Sequence, residues 1–294
     1  GAETIGAFGL LGPAAKILDV EKVPAKNESV SKELDPVLLH NGEFVSQVTD
    51  LVIPGRGLDF RFMRTYRGRG EFLGELGNKW THSYAERLLP WNDGFTYIDE
   101  EGRKFFFRME NGKFISPKGL DLILIVTASG DYELVVIPAK AGIQSITKNN
   151  GSPIKTFGDD NLATTVFDAS GKPIKKIDKY GNQITYVYDG NGLLSEIVDP
   201  YLRRIKITRR ADGLISGVED FAGRTIEYKY NNEQELIGVT SPKTSDFPKG
   251  KNAAYRYTKK HEIMMIMDPK GQVYLRNVYD NEGRVISQSY GEGP

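Results

Sequence analysis

The stretch that decides the fold is a tandem repeat near the middle of the chain. In steps of 21 residues it reads FDASGKPIKKIDKYGNQITYV (167–187), YDGNGLLSEIVDPYLRRIKIT (188–208) and RRADGLISGVEDFAGRTIEYK (209–229), and a fourth unit opens with YNNEQELIGV (230–239). Several residue classes keep this step: Gly171, Gly192 and Gly213; Gly181 and Gly223; Asp178, Asp199 and Asp220; Leu194, Ile215 and Leu236; Ile197, Val218 and Val239. A fixed period of this length indicates a repeat architecture, in which neighbouring units bury each other's apolar faces.

Each unit predicts one β-hairpin. Its first strand alternates apolar residues, as at Ile184, Tyr186 and Tyr188, and its second strand carries Leu194 and Ile197. In the turn Tyr-Asp-x-x-Gly the aspartate accepts a backbone hydrogen bond and the glycine tolerates positive φ. We predict tyrosine and isoleucine ladders buried on one face, with the other face lining a cavity. The structural positions of the repeat are Tyr186, Tyr188, Asp189, Gly192, Gly213, Gly223, Tyr228, Tyr230, Tyr279, Asp280 and Gly283.

Composition narrows the function classes. The chain has 294 residues, with 39 basic and 39 acidic side chains, so no net charge argues for nucleic acid or an anionic membrane as a partner. Cysteine is absent, which excludes disulfides, cysteine-ligated zinc and thiol nucleophiles. The 32 glycines, 15 tyrosines and 14 phenylalanines indicate many short strands joined by tight turns. The apolar stretch Ile5–Leu18 is interrupted by glycine and proline and is too short to span a bilayer.

Two regions flank the repeat on its N-terminal side. Residues 1–35 predict a lead-in and linker, either flexible or packed into a larger assembly. Residues 36–150 predict a meandering antiparallel β domain, with strands at Glu43–Val52 and Thr81–Leu89. The expected core of this domain comprises Phe60, Phe62, Trp80 and Tyr84. The segment Pro138–Gln144 reads either as a tolerated surface insertion or as an ordinary loop.

The repeats are predicted to occupy residues 151–294. Their period slips at Ser241–Asn252, where about six residues are inserted, and resumes with Tyr255 and Tyr257. Because the sequence stops in mid-array, we expect it to be the first part of a longer polypeptide whose last strand is an exposed edge.

The histidines do not predict a metal or catalytic site. His40, His82 and His261 lie far apart without ligand spacing. His82 and Ser83 are adjacent on a predicted strand, where neighbours point to opposite faces, and no Gly-x-Ser-x-Gly elbow surrounds the serine. Nucleophilic catalysis is therefore not expected.

The acidic groups and basic runs also favour structural roles. The loops that begin at Asp189 and Asp280 resemble calcium loops but lack the distal glutamate, so hairpin turns are favoured. Two further acidic groups, Asp99–Glu101 and Asp159-Asp160, read as solvated turns rather than a glycosidase pair. Polyanion binding is the lesser alternative for two basic runs, one comprising Arg56, Arg61, Arg64, Arg67 and Arg69, the other Arg203, Arg204, Lys206, Arg209 and Arg210.

Specific residues carry a family resemblance. The segment Gly181–Leu193, GNQITYVYDGNGL, resembles a YD repeat of the Rhs (rearrangement hotspot) family, and Tyr279–Val285 repeats the match. Upstream, the motifs NGEF (41–44), PGRGL (54–58), RTY (64–66) and WTHSY (80–84) are similar to the domain that precedes YD repeats in bacterial Rhs proteins. The chain departs from the repeat pattern at Leu202 and Gln234, where glycine is usual, and at Arg209-Arg210, where Tyr-Asp is usual.

The resemblance implies an all-β fold in which the meandering domain continues into a spiral of β-hairpins, part of a hollow shell that encloses a C-terminal toxin. It implies a non-enzymatic, cofactor-free and metal-free segment of a bacterial protein that is secreted or lies at the cell surface. Expected partners are further YD repeats and toxin cargo of the same polypeptide and secretion-system components, with no nucleic acid. The alternative function is a carbohydrate-binding or adhesion module that stacks exposed tyrosines on sugars.

Overall fold

The computed structural model describes residues 36–117, 120, 122–136, 163–245 and 247–291, and every regular element in them is a β-strand. The predicted all-β class is therefore confirmed. The lead-in, the segment Pro138–Gln144 and the pair Asp159-Asp160 lie outside the described residues. Among the described residues no helix has the length and apolar character needed to cross a membrane.

The chain first forms a four-stranded antiparallel sheet, which we call the leading sheet. Its strand order is β1-β2-β3-β6. The strands are β1 (Val37–Leu38), β2 (Glu43–Ile53), β3 (Phe60–Arg67) and β6 (Trp80–His82). Between β3 and β6 a small two-stranded sheet forms from β4 (Leu73–Gly74) and β5 (Gly77–Asn78).

The predicted strand Thr81–Leu89 is wrong, because the chain leaves the leading sheet after His82. The Ser83 amide donates to the Met63 carbonyl at 2.9 Å, and the Ser83 hydroxyl accepts from the Met63 amide at 2.7 Å. A turn closed by the Ala85 amide and the His82 carbonyl follows. Alternation in the sequence continues through this point, so the pattern alone does not reveal the change of sheet.

A second antiparallel meander follows, with the order β10-β9-β8-β7. Its strands are β7 (Arg87–Trp91), β8 (Gly94–Ile98), β9 (Lys104–Glu110) and β10 (Lys113–Ile115). The turn between β8 and β9 is organised by Asp99, whose carboxylate accepts from the amides of Glu101 and Arg103. This acidic group is thus a turn, as its sequence indicates, but Asp99 is buried rather than solvated.

The largest element is a 14-stranded antiparallel sheet, the repeat sheet, in which every strand pairs with its sequence neighbour. The strands before the insertion are β11 (Leu122–Val126), β12 (Tyr132–Val136), β13 (Ala163–Phe167), β14 (Pro173–Asp178), β15 (Gln183–Tyr188), β16 (Leu194–Val198), β17 (Arg204–Arg209), β18 (Ile215–Glu219), β19 (Thr225–Tyr230) and β20 (Leu236–Thr240). The strands after it are β21 (Asn252–Tyr257), β22 (Ile263–Met267), β23 (Val273–Tyr279) and β24 (Val285–Tyr290). The sheet begins at Leu122, upstream of the predicted domain boundary at residue 150.

The slip in the period is accommodated outside the sheet. The Ser241 amide bonds the Lys251 carbonyl across the base of the loop at 2.9 Å, and β20 and β21 then pair in register from Gly238 opposite Ala254. The inserted residues lengthen one turn and leave the strand order unchanged.

The core lies between the leading sheet and one face of the repeat sheet. Phe60, Phe62 and Trp80 are fully buried and Tyr84 is 6% exposed. They join one cluster with the repeat residues Ile184, Tyr186, Ile205, Ile226, Tyr228, Tyr255 and Ile266. The apolar face of the repeats is therefore covered by the leading sheet, and the opposite face carries exposed charges such as Arg204 and Lys206.

Candidate functional site

The Tyr-Asp turns all lie at one end of the repeat strands, which we call the YD end. The turns span 168–172, 189–193, 210–214, 231–235, 258–262 and 280–284. In a representative turn, Asp189 Oδ1 accepts from the amides of Asn191 and Leu193, both at 2.9 Å. Asp280 does the same for Glu282 and Arg284. One oxygen of each carboxylate accepts both of these backbone amides, so the apparent calcium-loop motifs form hairpin turns.

The fourth position of each turn has positive φ, whether or not it is glycine. Gly192, Gly213, Gly223 and Gly283 have φ between 73° and 88°. Gln234 and His261 occupy the same position in YD turns at 58° and 59°, whereas Leu202, at 62°, and Gly223 hold the equivalent position in turns at the opposite end of the strands. Side chains with a Cβ disfavour this region, so these three positions retain the turn at a steric cost.

The repeat tyrosines have two structural roles. Tyr186 and Tyr228 are each 4% exposed and lie in the core. Tyr188, Tyr230, Tyr257 and Tyr279 are partly buried, and their hydroxyls bond the backbone of the preceding strand. Each donates to the carbonyl of the first residue of the preceding strand: Tyr188 to Pro173 at 2.7 Å, Tyr230 to Ile215 at 2.6 Å, Tyr257 to Leu236 at 2.6 Å and Tyr279 to Ile263 at 2.7 Å.

This ladder of hydroxyls satisfies carbonyls at the point where strand pairing stops. The pairing of β14 with β15 ends at Lys175 and Thr185, so no residue of β15 pairs with Pro173. A register shift immediately before Tyr188 turns its side chain toward that carbonyl. A buried carbonyl without a partner is costly, so the tyrosine both joins consecutive hairpins and removes this cost.

Arg209 replaces tyrosine in this ladder and adds a contact to the leading domain, by which we mean residues 36–115 with the leading sheet and the second meander. Its Nη2 donates to the Leu194 carbonyl at 3.0 Å, the bond that tyrosine makes elsewhere, and also to Glu75 Oε2 at 2.6 Å. His82, which is buried and stacked on Phe62, lies with Nε2 3.3 Å from the same carboxylate oxygen. Burial opposes ionisation of Glu75, but the hydrogen bonds and charges of His82 and Arg209 outweigh it and lower its pKa to about 2.

A buried ion pair lies at the centre of the interface. Arg64 Nε donates to Asp50 Oδ2 at 2.6 Å, and both side chains are fully buried. From the repeats, the Tyr228 hydroxyl donates to Asp50 at 2.8 Å, and Arg64 donates to the Tyr255 hydroxyl at 2.8 Å. The guanidinium also lies 5.1 Å from the Trp80 ring centroid. Burial alone would lower the pKa of Arg64, but the Asp50 carboxylate raises it, so Arg64 stays charged.

Main-chain hydrogen bonds join the leading domain to successive YD turns. The Leu88 amide donates to Gly171, Ile215 to Glu75, Asn78 to Gln234, and Val285 to Gly42, at 2.8–3.0 Å. The Tyr66 hydroxyl donates to the His261 carbonyl at 2.8 Å. These contacts reach from the turn at 168–172 to the turn at 280–284. The leading domain therefore runs across most of the YD end.

The second meander is joined to the repeats by a partly buried lysine, Lys176. Lys176 Nζ lies 3.5 Å from Glu86 Oε1 and 3.6 Å from Glu100 Oε2. The negative charge of Glu86 raises the pKa of Lys176 despite its burial. Nearby, Leu88, Tyr97 and Phe107 pack in a second cluster with Leu122, Leu124, Leu134 and Phe167 of the repeat sheet.

Sequence reasoning missed Asp50, Arg64, Glu75 and Arg209 as interface residues. For Arg64 a signal existed, since the alternation that buries Phe60 and Phe62 also places residue 64 on the buried face. For Glu75, no local sequence pattern indicates that its carboxylate pairs with Arg209 of the repeats. The same structure accounts for the basic runs, in which Arg64 and Arg209 are paired with carboxylates and Arg204 is paired with Glu196.

Comparisons with known proteins agree with this organisation. Residues 34–107 match the model of a family described as a domain of unknown function, DUF6531. A curated relative, the probable deoxyribonuclease RhsB of Dickeya dadantii (strain 3937), is 34% identical over 88 residues, which make up 29% of this chain and 6% of the relative. The chain thus matches only a small part of that relative's length.

Two solved structures are similar at low identity. A crystal structure of TcdB2-TccC3-Cdc42 is 16% identical with a TM-score of 0.38, covering 83% of this chain and 12% of that chain. The pore of the Photorhabdus luminescens Tc holotoxin is 15% identical with a TM-score of 0.37, covering 83% of this chain and 12% of that chain. The match of the leading domain to DUF6531, the identity to a protein named RhsB and the 21-residue hairpins with their Tyr-Asp turns all support the resemblance to the Rhs, or YD-repeat, family.

Proposed function

We propose that this chain is a non-enzymatic segment of the β shell of an Rhs-type polymorphic toxin, which encloses and protects a C-terminal toxin for delivery. The observation that carries the proposal is the single core shared by the leading sheet and the repeats. A sheet whose apolar face is covered and whose Tyr-Asp turns are hydrogen-bonded to a leading domain is suited to start a closed wall.

The contacts of the reactive side chains support the proposal of a structural rather than an enzymatic role. His82 is buried between Phe62 and Glu75, and the Ser83 hydroxyl bonds the backbone of Met63. Neither forms a nucleophile–base pair with the other. The toxin cargo, further repeats of the same polypeptide and secretion-system components are the partners we propose, in a bacterial protein that is secreted or lies at the cell surface.

The test is protection of the cargo from protease in the whole parent polypeptide. We expect the C-terminal cargo to resist limited proteolysis in the wild type and to become cleavable in Arg64→Met, which breaks the buried pair with Asp50. Arg204→Met is the matched control, because Arg204 is an exposed arginine on the other face of the repeats. Cargo cleaved equally fast in the wild type and Arg64→Met would reject the shell role.

A carbohydrate-binding role is the second candidate, and it would depend on exposed aromatic residues outside the buried ladder. Tyr186 and Tyr228 are buried and cannot stack on sugars. At the end of the strands opposite the YD end, however, Tyr180, Tyr201 and Phe221 are 74%, 58% and 51% exposed in consecutive turns. Turns two strands apart are separated by about 10 Å, so the rings form an open row along the sheet.

Arg203 adds a cation to this row, with its Cζ 5.1 Å from the Tyr201 ring centroid and 4.8 Å from that of Phe221. Because this guanidinium is already paired with the Asp199 carboxylate, the exposed rings suit stacking on sugar rings rather than binding of a charged group. A glycan array compares the wild type with Tyr201→Ala and with the buried-face variant Tyr228→Phe. Binding abolished only by Tyr201→Ala supports this function, and no saturable binding by the wild type rejects it.

A further inference from the structure

Two consecutive YD turns bring three metal-binding side chains together. Glu233 and Glu235 belong to the turn at 231–235, and His261 belongs to the turn at 258–262. One ligand atom from each of these residues lies within 4.8 Å of the other two. The closest pair is His261 Nδ1 and Glu235 Oε1, 2.8 Å apart. The three residues are separated by up to 28 positions in the chain, so the repeat fold is what assembles them.

The group is built into rigid surroundings. Glu235 is 4% exposed, and Asn231 Nδ2 donates to its Oε2 at 2.6 Å, which directs Oε1 toward His261. On the far side, Asn78 of the leading domain holds the turn, with its amide bonded to the Gln234 carbonyl at 3.0 Å and its side chain to the Glu233 carbonyl at 2.7 Å. Donors held by neighbouring hydrogen bonds lose little freedom when they bind an ion.

The residue types at these turns depart from the rest of the repeat. His261 stands where Gly192, Gly213 and Gly283 stand in other turns, and it has the same positive φ. A glycine there would be less strained, but it would leave Glu235 and Glu233 without an imidazole. The substitution therefore introduces a ligand type that the other described YD turns lack.

We propose that Glu233, Glu235 and His261 bind a divalent transition-metal ion of the Zn²⁺ type. One imidazole nitrogen and two carboxylate oxygens suit zinc, whereas magnesium and calcium prefer oxygen ligands alone. Zinc needs bonds of about 2.0–2.2 Å in a tetrahedral arrangement, so the His261–Glu235 contact must open slightly and Glu233 must move inward. Glu233 is exposed and His261 is half-exposed, so both can move, and water can complete the tetrahedron.

Such an ion would join two consecutive hairpins at the YD end. Because Asn78 bonds the same turn, the ion would also stabilise the contact between the repeats and the leading domain. A ligand that binds only the folded state raises its stability by mass action. The metal site does not depend on the proposed shell role. The two experiments can therefore fail separately: the chain could form a shell without binding metal, or bind metal while serving another function.

The experiment uses the full chain, freed of metal by chelator and titrated with ZnCl2, with binding followed by calorimetry and unfolding by circular dichroism. At free zinc about 100 times the dissociation constant, we expect the melting temperature to rise by about 4 °C or more. His261→Gln and Glu233→Gln should reduce zinc affinity at least tenfold. His40→Gln is the matched control, because it removes an exposed histidine far from the group in sequence.

Three results overturn the inference: no zinc-dependent shift in the wild type, an unchanged shift in His261→Gln, or loss of the shift in His40→Gln. Glu233→Gln guards against misfolding as an explanation, since Glu233 is exposed and its replacement keeps the backbone bonds to Asn78. A wild-type response to MgCl2 equal to that with ZnCl2 would also overturn the assignment, because it would indicate carboxylates acting without the imidazole.

Discussion

At the residue scale, Leu202 and Gly223 hold the same turn position one repeat apart, with φ of 62° and 76°. Leu202 is 80% exposed, so its side chain gains little from burial. Leu202→Gly should therefore raise the free energy of unfolding by about 1 kcal/mol. This net gain is the relief of left-handed backbone strain minus the entropy cost of ordering glycine, which is freer in the unfolded chain. Denaturant unfolding measures this change.

Gly223→Leu is the reciprocal control for that prediction. A Cβ at Gly223 would meet no atom within 4 Å, so any cost comes from backbone conformation rather than from a clash. We expect Gly223→Leu to lower the free energy of unfolding by a similar amount. If both substitutions destabilised the protein, the leucine at 202 would have a packing role and the strain argument would fail.

The Glu75 carboxylate predicts a specific acid sensitivity. Its pKa is lowered from the ordinary value of 4.5 to about 2 in the folded state, since His82 and Arg209 outweigh the effect of burial. Stability from this group is therefore fully present above pH 4.5 and is lost as pH falls from 4.5 toward 2. The loss amounts to roughly 3 kcal/mol.

Glu75→Gln tests the predicted direction of this pH dependence of stability. The variant should be less stable than the wild type at pH 6, and the difference should shrink as pH falls through 4.5 toward 2. Glu227→Gln, at an exposed position of β19, serves as the control and should follow the wild-type pH profile. A stability difference for Glu75→Gln that stays constant between pH 6 and pH 2 would contradict the assignment.

At the element scale, the hairpins were predictable because their information is local. The aspartate and glycine of each turn act within five residues, and alternation sets the buried face. Leu202 and Gln234 were recognised as departures, and the structure places both at positive φ. The strand Thr81–Leu89 was wrong because the break depends on Ser83 bonding to Met63, 20 residues away.

The buried pair on β2 and β3 yields a double-mutant prediction. Arg64→Met leaves Asp50 buried without its cation and should destabilise the protein by about 3–5 kcal/mol. Adding Asp50→Leu removes the isolated charge, so the double variant should be more stable than Arg64→Met alone. A double variant that loses the sum of the two single losses would mean that the pair does not couple.

At the scale of the whole molecule, the docking of the leading domain could not be predicted from the sequence. Its key contacts join residues 178 positions apart, Asp50 with Tyr228, and 191 apart, Arg64 with Tyr255. No local periodicity encodes which surfaces meet over such distances. Arg209 shows the same limit: its place in the repeat was visible, but its bond to Glu75 depends on a loop of another domain.

The shared core predicts that the leading sheet and the repeats unfold together. Phe60, Trp80 and Tyr66 contribute to the same cluster as Tyr228 and Tyr255, so neither side keeps a complete core without the other. Calorimetry of the full chain should give one transition with equal calorimetric and van't Hoff enthalpies for this unit.

Hydrogen exchange tests the same prediction strand by strand. Arg64→Met lies in β3, but it should accelerate exchange of slow amides in β19 and β21 as much as in β2, because all three lose protection only by the same global opening. If exchange rises in β2 and β3 while β19 and β21 keep wild-type protection, the repeats fold without the leading sheet. The leading sheet would then be a separately folding unit that packs on the repeats, and not part of one cooperative structure.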